Sequence, residues 1–408
     1  MASLVRLTLR NLGNTELSKQ LLAQDNFKLV RTITSKLLKV ESKDIQTKPK
    51  PWPYKEKRYT FLHQFIDKTT ARFDDNSKII VVEGPVAAGK TAFAKQLADD
   101  LEMLYLPEAN LDMHYINDYG FDLRTLDNQL PESCRSFDIN NFLISPRHSQ
   151  VALFQIKQYT VKFEQYIDAL AHVLSTGQGV VLDRCCYSDF VFTEAMYSQG
   201  YISKGAYDAY YAVRKNTIIE LLRPHLLIYL DVSVPQIQAN IQKRALSYEV
   251  KSPALTKEYL TEIEKQYKQN YLKEMSKHSE LLIYDWSDGG DPEVVVEDIE
   301  RIDFDNYDAQ DVKMKDWDHY NEEDWAALRR KYCNTKDNLL NLTNVPAFDV
   351  PELVIDAEDA DVMHHVLNNA PGNEYDLGFN SRMGDKNLLL KVKGTYLQTL
   401  PLRERRAF

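Results

Sequence analysis

Residues 84–91 read Gly-x-x-x-x-Gly-Lys-Thr, a spacing that suits the binding of a phosphate group. They follow a short apolar run at 79–82 and precede a helical pattern. In this strand–turn–helix context, backbone N–H groups and the positive helix end cradle phosphate oxygens. Lys90 would reach the β and γ phosphates, and the Thr91 hydroxyl would hold Mg²⁺. An ordinary βα turn is the less favoured alternative. The predicted phosphate-binding residues are Gly84, Gly89, Lys90 and Thr91.

Two further groups of polar residues follow apolar runs and could take part in the same chemistry. Asp183 and Arg184 come directly after a run at 180–182. The carboxylate could take a metal-bound water or a substrate hydroxyl, and the guanidinium could pair with phosphate as a bidentate fork. Their alternative role is a helix-start cap with an ion pair. Glu108 follows a run at 104–106, where a carboxylate taken alone is more often a solvated loop residue.

Five short apolar runs alternate with helical patterns and would position these residues. The most regular helical pattern, at 149–175, has an apolar residue at every third or fourth position. Such alternation predicts an α/β fold, a parallel sheet of about five strands with helices on both faces. Ligands of such sheets bind at the carboxyl ends of the strands, where Gly84, Glu108 and Asp183 all fall. The five runs lie at 79–82, 104–106, 180–182, 226–230 and 281–284.

Composition restricts the class of protein. The 408 residues are 44% hydrophobic and 27% charged, which is typical of globular proteins. The formal net charge of −10 argues against nucleic acid as the main partner, because a phosphate backbone needs a basic face. No apolar run is long enough for a transmembrane segment. The four cysteines show neither a C-x-x-C pair nor a disulfide framework, so we expect a reducing compartment and no zinc site.

The two ends of the chain differ from its middle. The first 40 residues carry seven Lys or Arg against two acidic residues. A basic, acid-poor, amphipathic start is typical of a mitochondrial presequence, with a disordered basic arm as the alternative. The tail has an Asp- and Glu-rich beginning and few clear helix or strand periods. It could wrap a partner or pack onto the α/β core, two alternatives that the sequence leaves equal.

The chain therefore divides into four predicted segments. Between the presequence and the α/β domain lies an extension with a proline-rich break and a predicted helix over 57–73, whose Phe61, Phe65 and Ile66 would share one side. The segments are a presequence and basic arm at 1–45, an N-terminal extension at 46–75, the α/β domain at 76–289, and an acidic C-terminal extension at 290–408.

The motifs together resemble those of deoxynucleoside kinases. Residues 183–189, Asp-Arg-Cys-Cys-Tyr-Ser-Asp, resemble that family's Asp/Glu-Arg-Ser-x-x-Ser-Asp segment. Phe154-Gln155 matches the Phe-Gln of its base-binding helix, although a lone Gln beside a core stripe is usually boundary packing. The resemblance covers about residues 76–288 and implies a P-loop kinase-like sheet that binds a purine nucleotide with Mg²⁺. It implies these roles: Glu108 as general base, Asp183 and Arg184 at catalytic positions, Gln155 at the nucleobase, and Thr91 with Asp183 at the metal.

Other segments narrow the resemblance. Pro51-Trp52-Pro53-Tyr54 and the stretch at 67–74 lie outside the general kinase pattern. With the presequence-like start and long tail, they are similar to the deoxynucleoside-kinase-like accessory subunits of mitochondrial complex I, which transfers electrons from NADH to ubiquinone. This implies a matrix-side place beside membrane-arm subunits, peripheral to the inner membrane, with a role in assembly or stability and none in electron transfer. Some descriptions assign FAD to that family, and no motif here supports it.

Several positions depart from the kinase pattern. Family kinases carry an Arg-x-Arg-x-x-Glu lid, and residues 244–249 put Leu246 at its second arginine. A transition-state arginine contributes about 10³–10⁵ in rate to phosphoryl transfer. Asp183 replaces the commoner Glu, Cys185 replaces Ser, and Pro85 removes a backbone donor from the loop.

These departures favour a structural subunit that binds a nucleotide and has no activity of its own. The alternative is an active mitochondrial deoxynucleoside kinase that transfers phosphate from ATP to a deoxynucleoside. The intact Gly-Lys-Thr, with Glu108 and Asp183-Arg184, favours that alternative. A dinucleotide enzyme is a distant third, because no Gly-x-Gly-x-x-Gly follows any strand.

Overall fold

Five parallel strands form one sheet in the order β2-β3-β1-β4-β5. The structure, a computed structural model, describes residues 33–36, 48–304, 307 and 311–386. The central strand β1 pairs with β3 on one side and β4 on the other. The predicted parallel sheet of about five strands is confirmed. The strands are β1 (Ile79–Glu83), β2 (Leu104–Leu106), β3 (Val180–Asp183), β4 (Leu226–Asp231) and β5 (Glu280–Asp285).

Helices connect the strands, cover both faces and continue into the tail. Those up to β5 are α1 (His63–Ile66), α2 (Lys90–Asp100), α3 (Asp112–Tyr115), α4 (Ile139–Ile144), α5 (Val151–Thr176), α6 (Phe190–Ser198), α7 (Lys204–Ile218), α8 (Val234–Arg244), α9 (Ser247–Val250), α10 (Lys257–Gln266) and α11 (Leu272–Met275). A π-helical turn, Tyr267–Tyr271, joins the last two. The tail contains α12 (Pro292–Ile299), α13 (Glu322–Asn334), α14 (Lys336–Leu340) and α15 (Ala357–Asn368). Short 3₁₀ turns lie at Thr70–Arg72, Leu123–Gln129, Glu132–Cys134, Lys315–Trp317, Asn341–Thr343, Pro351–Leu353 and Ser381–Met383.

Side chains of alternate strand residues fill two cores, one on each face of the sheet. On one face, Val81 and Leu182 pack with the long helix α5, whose apolar stripe is buried except for the partly buried Ile156. On the other face, Ile80 and Ile228 pack with α2 and α12. The helix predicted at 149–175 is present as α5, and it ends at Gly177, whose φ is +71°. A Cβ at Gly177 would lie 1.9 Å from the Arg72 carbonyl oxygen, so this helix end requires glycine.

The helix predicted over 57–73 is wrong. Only α1 and the 3₁₀ turn Thr70–Arg72 form there, and Phe65 and Ile66 are exposed rather than packed. The Asp67 carbonyl accepts a 2.8 Å hydrogen bond from the Tyr59 hydroxyl. Because that contact engages the carbonyl that would continue the helix, the chain turns away after Ile66.

The described part of the tail packs onto the α/β core. Helix α12 covers the sheet beside α2, and α13 lies along α5. Arg329 of α13 is fully buried and forms a 2.8 Å ion pair with Asp67 of the N-terminal extension. Trp325 packs edge-on against Phe73, with ring centroids 5.0 Å apart. Residues 311–386 therefore pack onto the core of their own chain, although their sequence shows few helical periods.

Two sequence predictions concern membranes and targeting. The described ranges contain no helix that is long and apolar enough to cross a bilayer. The presequence predicted within residues 1–45 lies outside the described residues, except for 33–36.

Candidate nucleotide-binding site

The loop between β1 and α2 depends on two glycines. Gly84 has a φ of +151°, and a Cβ there would lie 2.7 Å from the Leu230 carbonyl oxygen. Gly89 has a φ of +81° and directly precedes α2. A side chain at either position would strain the turn or push it away from β4. The loop therefore presents its backbone N–H groups at a helix N-terminus, where the helix dipole favours negative charge.

Lys90, the first residue of α2, is buried against this loop. Its Nζ donates a 2.8 Å hydrogen bond to the carbonyl oxygen of Pro85. Burial, and then the nearby Arg184 guanidinium, lower the pKa of Lys90 to about 8, although three neighbouring carboxylates act in the opposite direction. A phosphate placed at this ammonium would favour its charged form.

Thr91 connects the loop to the end of the neighbouring strand. Its hydroxyl donates a 2.5 Å hydrogen bond to Oδ2 of Asp183, the last residue of β3. Asp183 is fully buried, and within the described residues its Oδ1 has no hydrogen-bond partner. A buried carboxylate oxygen is normally satisfied, so a donor or a cation is expected there. Nowhere in the described part of the chain do three His, Cys, Asp or Glu side chains gather as a metal site, so a cation would need phosphate or water oxygens as well.

Glu108 and Arg184 form an ion pair beside the loop. Nη1 of Arg184 lies 2.6 Å from Oε1 of Glu108, and Nη2 donates to the Gly84 carbonyl at 3.0 Å. Burial alone would raise the pKa of Glu108, but Arg184, together with Lys162 and Lys90, outweighs it and lowers the pKa to about 2. Glu108 is therefore a charged hydrogen-bond acceptor with little affinity for a proton, which makes it a weak general base in this arrangement.

Gln155 lies on α5, and its amide is engaged by a buried carboxylate. Its Nε2 donates to Oδ2 of Asp189 at 2.8 Å. The same carboxylate accepts hydrogen bonds from Lys162 Nζ at 2.8 Å and from the Tyr210 hydroxyl at 2.9 Å. Lys162 and Asp189 are both buried, and a buried charge of this kind is tolerated when it is paired. The amide therefore belongs to a polar network rather than facing an apolar neighbour.

Sequence reasoning missed Lys162 and Asp189 as members of the site. Lys162 follows Gln155 by two helical turns, so both lie on one face of α5. Asp189 is the last residue of the motif at 183–189. The sequence does not mark Lys162 as a buried site residue, because a lysine in an amphipathic helix usually lies on the solvent face.

Glu83, at the end of β1, is a further buried carboxylate that the sequence did not reveal. It accepts hydrogen bonds from the hydroxyls of Tyr267 at 3.1 Å and Tyr271 at 3.4 Å. The Cys185 thiol lies 3.7 Å from the same carboxylate. Burial raises the pKa of Glu83. Glu83 therefore ties the π-helical turn and the start of the loop after β3 to the central strand.

The predicted lid at 244–249 comprises the last residue of α8, the two residues that follow it and the first three residues of α9. The Arg244 Nε donates to Oε2 of Glu249 at 2.9 Å, and its Nη2 contacts Oε1 of the same carboxylate. This bidentate pair engages the guanidinium that the kinase pattern would direct at phosphate. Leu246 is the N-cap residue of α9 and brings no charge to the lid.

The sequence-predicted residues meet at the carboxyl edge of the sheet, as the strand ends required. Gln155 lies deeper and contacts Asp189, whose partner Lys162 also interacts electrostatically with Glu108. The arrangement combines backbone N–H groups at a helix N-terminus with two cationic side chains and a carboxylate acceptor. The residues that meet are Gly84, Gly89, Lys90, Thr91, Glu108, Asp183 and Arg184.

Comparison with known proteins identifies two groups of relatives. The deoxynucleoside kinase family model matches residues 80–322. NADH dehydrogenase (ubiquinone) 1 alpha subcomplex subunit 10, mitochondrial, of Mus musculus is 38% identical over 338 residues, which cover 82% of this chain and 90% of that protein. Its Bos taurus counterpart is also 38% identical, over 80% of this chain and 90% of that protein.

Kinases form the second group. Deoxyguanosine kinase of Dictyostelium discoideum is 29% identical over 237 residues, which cover 58% of this chain and 73% of that protein. Among solved structures, deoxyadenosine kinase from M. mycoides with bound dATP aligns with 54% of this chain and 98% of that chain, at 20% identity and a TM-score of 0.38.

Proposed function

Because this chain belongs to the deoxynucleoside kinase family, and within it to the relatives of NADH dehydrogenase (ubiquinone) 1 alpha subcomplex subunit 10, we propose that it is an accessory subunit of mitochondrial complex I. In this role it supports the assembly or stability of the complex that transfers electrons from NADH to ubiquinone. It takes no part in the electron transfer itself.

This proposal rests on how much of the chain aligns with the complex I subunit. The family model matches only residues 80–322, whereas the alignment with the Mus musculus subunit spans 338 residues. The alignment with the Dictyostelium discoideum kinase spans only 237. The subunit alignment therefore includes segments beyond the kinase-like domain, where a function separate from phosphoryl transfer would have its residues.

The structure gives those outer segments a physical role. Asp67 of the N-terminal extension pairs with Arg72 and with Arg329 of the tail, and Glu322 of the tail accepts from the backbone N–H of Thr70 at 3.0 Å. Both extensions are thus fixed to each other on the surface of the α/β core. The two extensions form an outer surface of fixed shape. Catalysis at the sheet edge does not require this surface.

Nucleotide binding is the second part of the proposal. A purine nucleotide would place its phosphates on the loop backbone and Lys90, and Gln155 would face the base of a bound nucleoside. Mg²⁺ fits Thr91 and Asp183, because the buried Oδ1 of Asp183 lacks a partner among the described residues. When bound, the ion would supply positive charge to the phosphate oxygens.

Catalysis by this site is weak or absent. Phosphoryl transfer depends on positioning and on positive charge around the transferring group. Here Arg244 is paired with Glu249, Leu246 carries no charge, and Glu108 has a pKa of about 2. The bound nucleotide would then stabilise the subunit rather than serve as a substrate.

An active deoxynucleoside kinase is the second candidate function. One observation favours it: Lys90, Thr91, Glu108 and Arg184 meet at one sheet edge with a carboxylate available for a hydroxyl. An assay with ATP, Mg²⁺ and each deoxynucleoside distinguishes the two candidates.

We place the chain on the matrix side of the membrane arm, peripheral to the inner membrane. Depletion of the chain from cells should lower both the amount of assembled complex I on native gels and NADH-dependent respiration. Re-expression of the intact chain should restore both, and re-expression of the Glu108→Gln variant should restore them equally if catalysis is not required. Normal assembly in the complete absence of the chain would exclude the proposed role.

A further inference from the structure

Four large apolar side chains are exposed together in the N-terminal extension. Phe61, Leu62, Phe65 and Ile66, which we call the apolar tip, are 55%, 72%, 67% and 86% exposed. Single exposed apolar residues are common, but contiguous ones usually mark an interaction site. The tip precedes residue 80, where the match to the kinase family begins. It is therefore a surface that the kinase-like site does not explain.

The tip is held outward by buried contacts at both of its ends. Before it, Tyr59 is fully buried, and the Arg329 guanidinium lies 3.7 Å from the centre of its ring. After it, Asp67 pairs with that same arginine at 2.8 Å. Within α1, Gln64 accepts a 2.7 Å hydrogen bond from Arg330. Since these inward contacts fix the backbone, the four apolar side chains cannot fold back onto the core without breaking them.

The residues around the tip are positively charged, in contrast to the chain as a whole. Residues 55–68 contain Lys55, Lys57, Arg58 and Lys68 against Glu56 and Asp67, while the chain has a net charge of −10. The Asp67 carboxylate is already paired with two arginines on the inner side. Basic side chains therefore outnumber acidic ones in residues 55–68, and the nearby Glu322 carboxylate is engaged by the backbone N–H groups of Thr69 and Thr70.

We propose that the apolar tip inserts into an anionic phospholipid surface, with the surrounding lysines at the lipid phosphates. Phe, Leu and Ile flanked by Lys and Arg form the composition of interfacial membrane-binding segments. Basic residues next to a membrane are attracted to anionic lipid headgroups. Lysine is depleted at protein–protein interfaces, so this surrounding favours lipid over a protein groove.

The two ends of the chain are less suitable than an anionic lipid surface as binding partners of the apolar tip. Residues 387–408 carry five Lys or Arg against one Glu, and residues 1–32 carry five against two acidic residues. Both segments have the same sign of charge as the region around the tip, so they would be repelled. The inference does not rest on the proposed role in complex I, because it concerns the isolated chain and a bilayer.

The experiment uses the full chain and vesicles of phosphatidylcholine with phosphatidylglycerol, in which the acyl chains carry bromine as a quencher. The Phe65→Trp variant should show fluorescence quenching beyond that of the four native tryptophans. The matched control is the Phe348→Trp variant, because Phe348 is 88% exposed but lies outside the tip. It should show no added quenching. Equal quenching of the two variants, or none in either, overturns the proposal.

A second pair of variants measures binding. Phe65→Ser with Ile66→Ser should lower co-sedimentation with these vesicles by about tenfold or more, because two apolar side chains no longer leave water. Lys57→Glu with Lys68→Glu should weaken binding to the anionic vesicles and leave binding to pure phosphatidylcholine unchanged. If the serine variant instead loses assembly into complex I while vesicle binding is unaltered, the tip docks on protein and the lipid proposal is wrong.

Discussion

The Thr91 hydroxyl donates a 2.5 Å hydrogen bond to Asp183, and this contact joins the start of α2 to the end of β3. It also leaves the second, fully buried oxygen of Asp183 without a partner in the described residues. The Thr91 hydroxyl and the unsatisfied Asp183 oxygen suit a hard cation that would also bind a phosphate oxygen. The first prediction tests that interpretation.

Asp183→Asn should weaken the binding of Mg²⁺–nucleotide more than the binding of nucleotide without metal. The amide removes the negative charge that attracts the ion but keeps an oxygen that can accept from Thr91. Isothermal titration calorimetry with and without Mg²⁺ measures the difference. Asp285→Asn is the matched control, because Asp285 also ends a strand of the sheet, β5, but is exposed. An equal loss in both conditions would argue against a metal at Asp183.

Lys90→Ala should weaken nucleotide binding by about 1.5–3 kcal/mol, the contribution of a charge-assisted hydrogen bond, or about tenfold to a hundredfold. The exposed Lys95, on the same helix, provides the control variant Lys95→Ala, which should bind normally. Unchanged affinity in the Lys90 variant would show that the loop is not the nucleotide site.

The affinity should also depend on pH through Lys90. Its pKa is lowered from 10.5 to about 8, so in the free protein the Lys90 ammonium loses its proton as the pH rises through 8. Phosphate favours the charged form, so binding takes up a proton and the affinity should fall as the pH rises above 8. The Lys90→Ala variant should lose that part of the pH dependence.

The ion pair between Arg329 and Asp67 should be important for stability. Arg329→Ala removes a fully buried guanidinium and leaves the partly buried Asp67 carboxylate with Arg72 as its remaining ion-pair partner. Breaking a pair of this kind costs up to about 3–5 kcal/mol in the free energy of unfolding. Denaturant unfolding measures this change. The adjacent Arg330→Ala removes a hydrogen bond to Gln64 and a contact with the exposed Phe61 ring, and should cost only about 1 kcal/mol. Equal destabilisation by the two variants would contradict the role given to the buried pair.

Sequence patterns predicted those features that depend on local periodicity. The strands, α5 and the position of the glycine turn between β1 and α2 follow from apolar spacing and glycine positions. The meeting of Glu108 with Arg184 followed from the rule that parallel strands end at one edge. Long-range contacts explain the rest. The end of α1 depends on Tyr59 and on an arginine 262 residues away, and such partners have no local signature.

Buried charged residues are the second feature that the sequence did not predict. Lys162 and Asp189 neutralise each other inside the protein, yet each residue type usually indicates the surface. Glu83 closes an apolar strand and is satisfied by tyrosines far along the chain. Only the folded arrangement brings such partners together.

Phosphoryl transfer by the purified chain should be far slower than the median enzyme rate of about 10 s⁻¹. The reason is the low positive charge at the lid, where Arg244 is paired with Glu249. The assay supplies ATP and Mg²⁺ with each deoxynucleoside in turn. Turnover near that median, abolished by Glu108→Gln, would make the kinase the better reading of the site.

Co-migration on a native gel tests the central claim most directly. Mitochondria containing the tagged full chain are solubilised mildly, separated under native conditions, and stained for NADH dehydrogenase activity. The proposal predicts that the tag coincides with the active complex I band and that little of it migrates as free chain. A tag found only at the size of the free chain, with a normal complex I band elsewhere on the gel, would contradict the account.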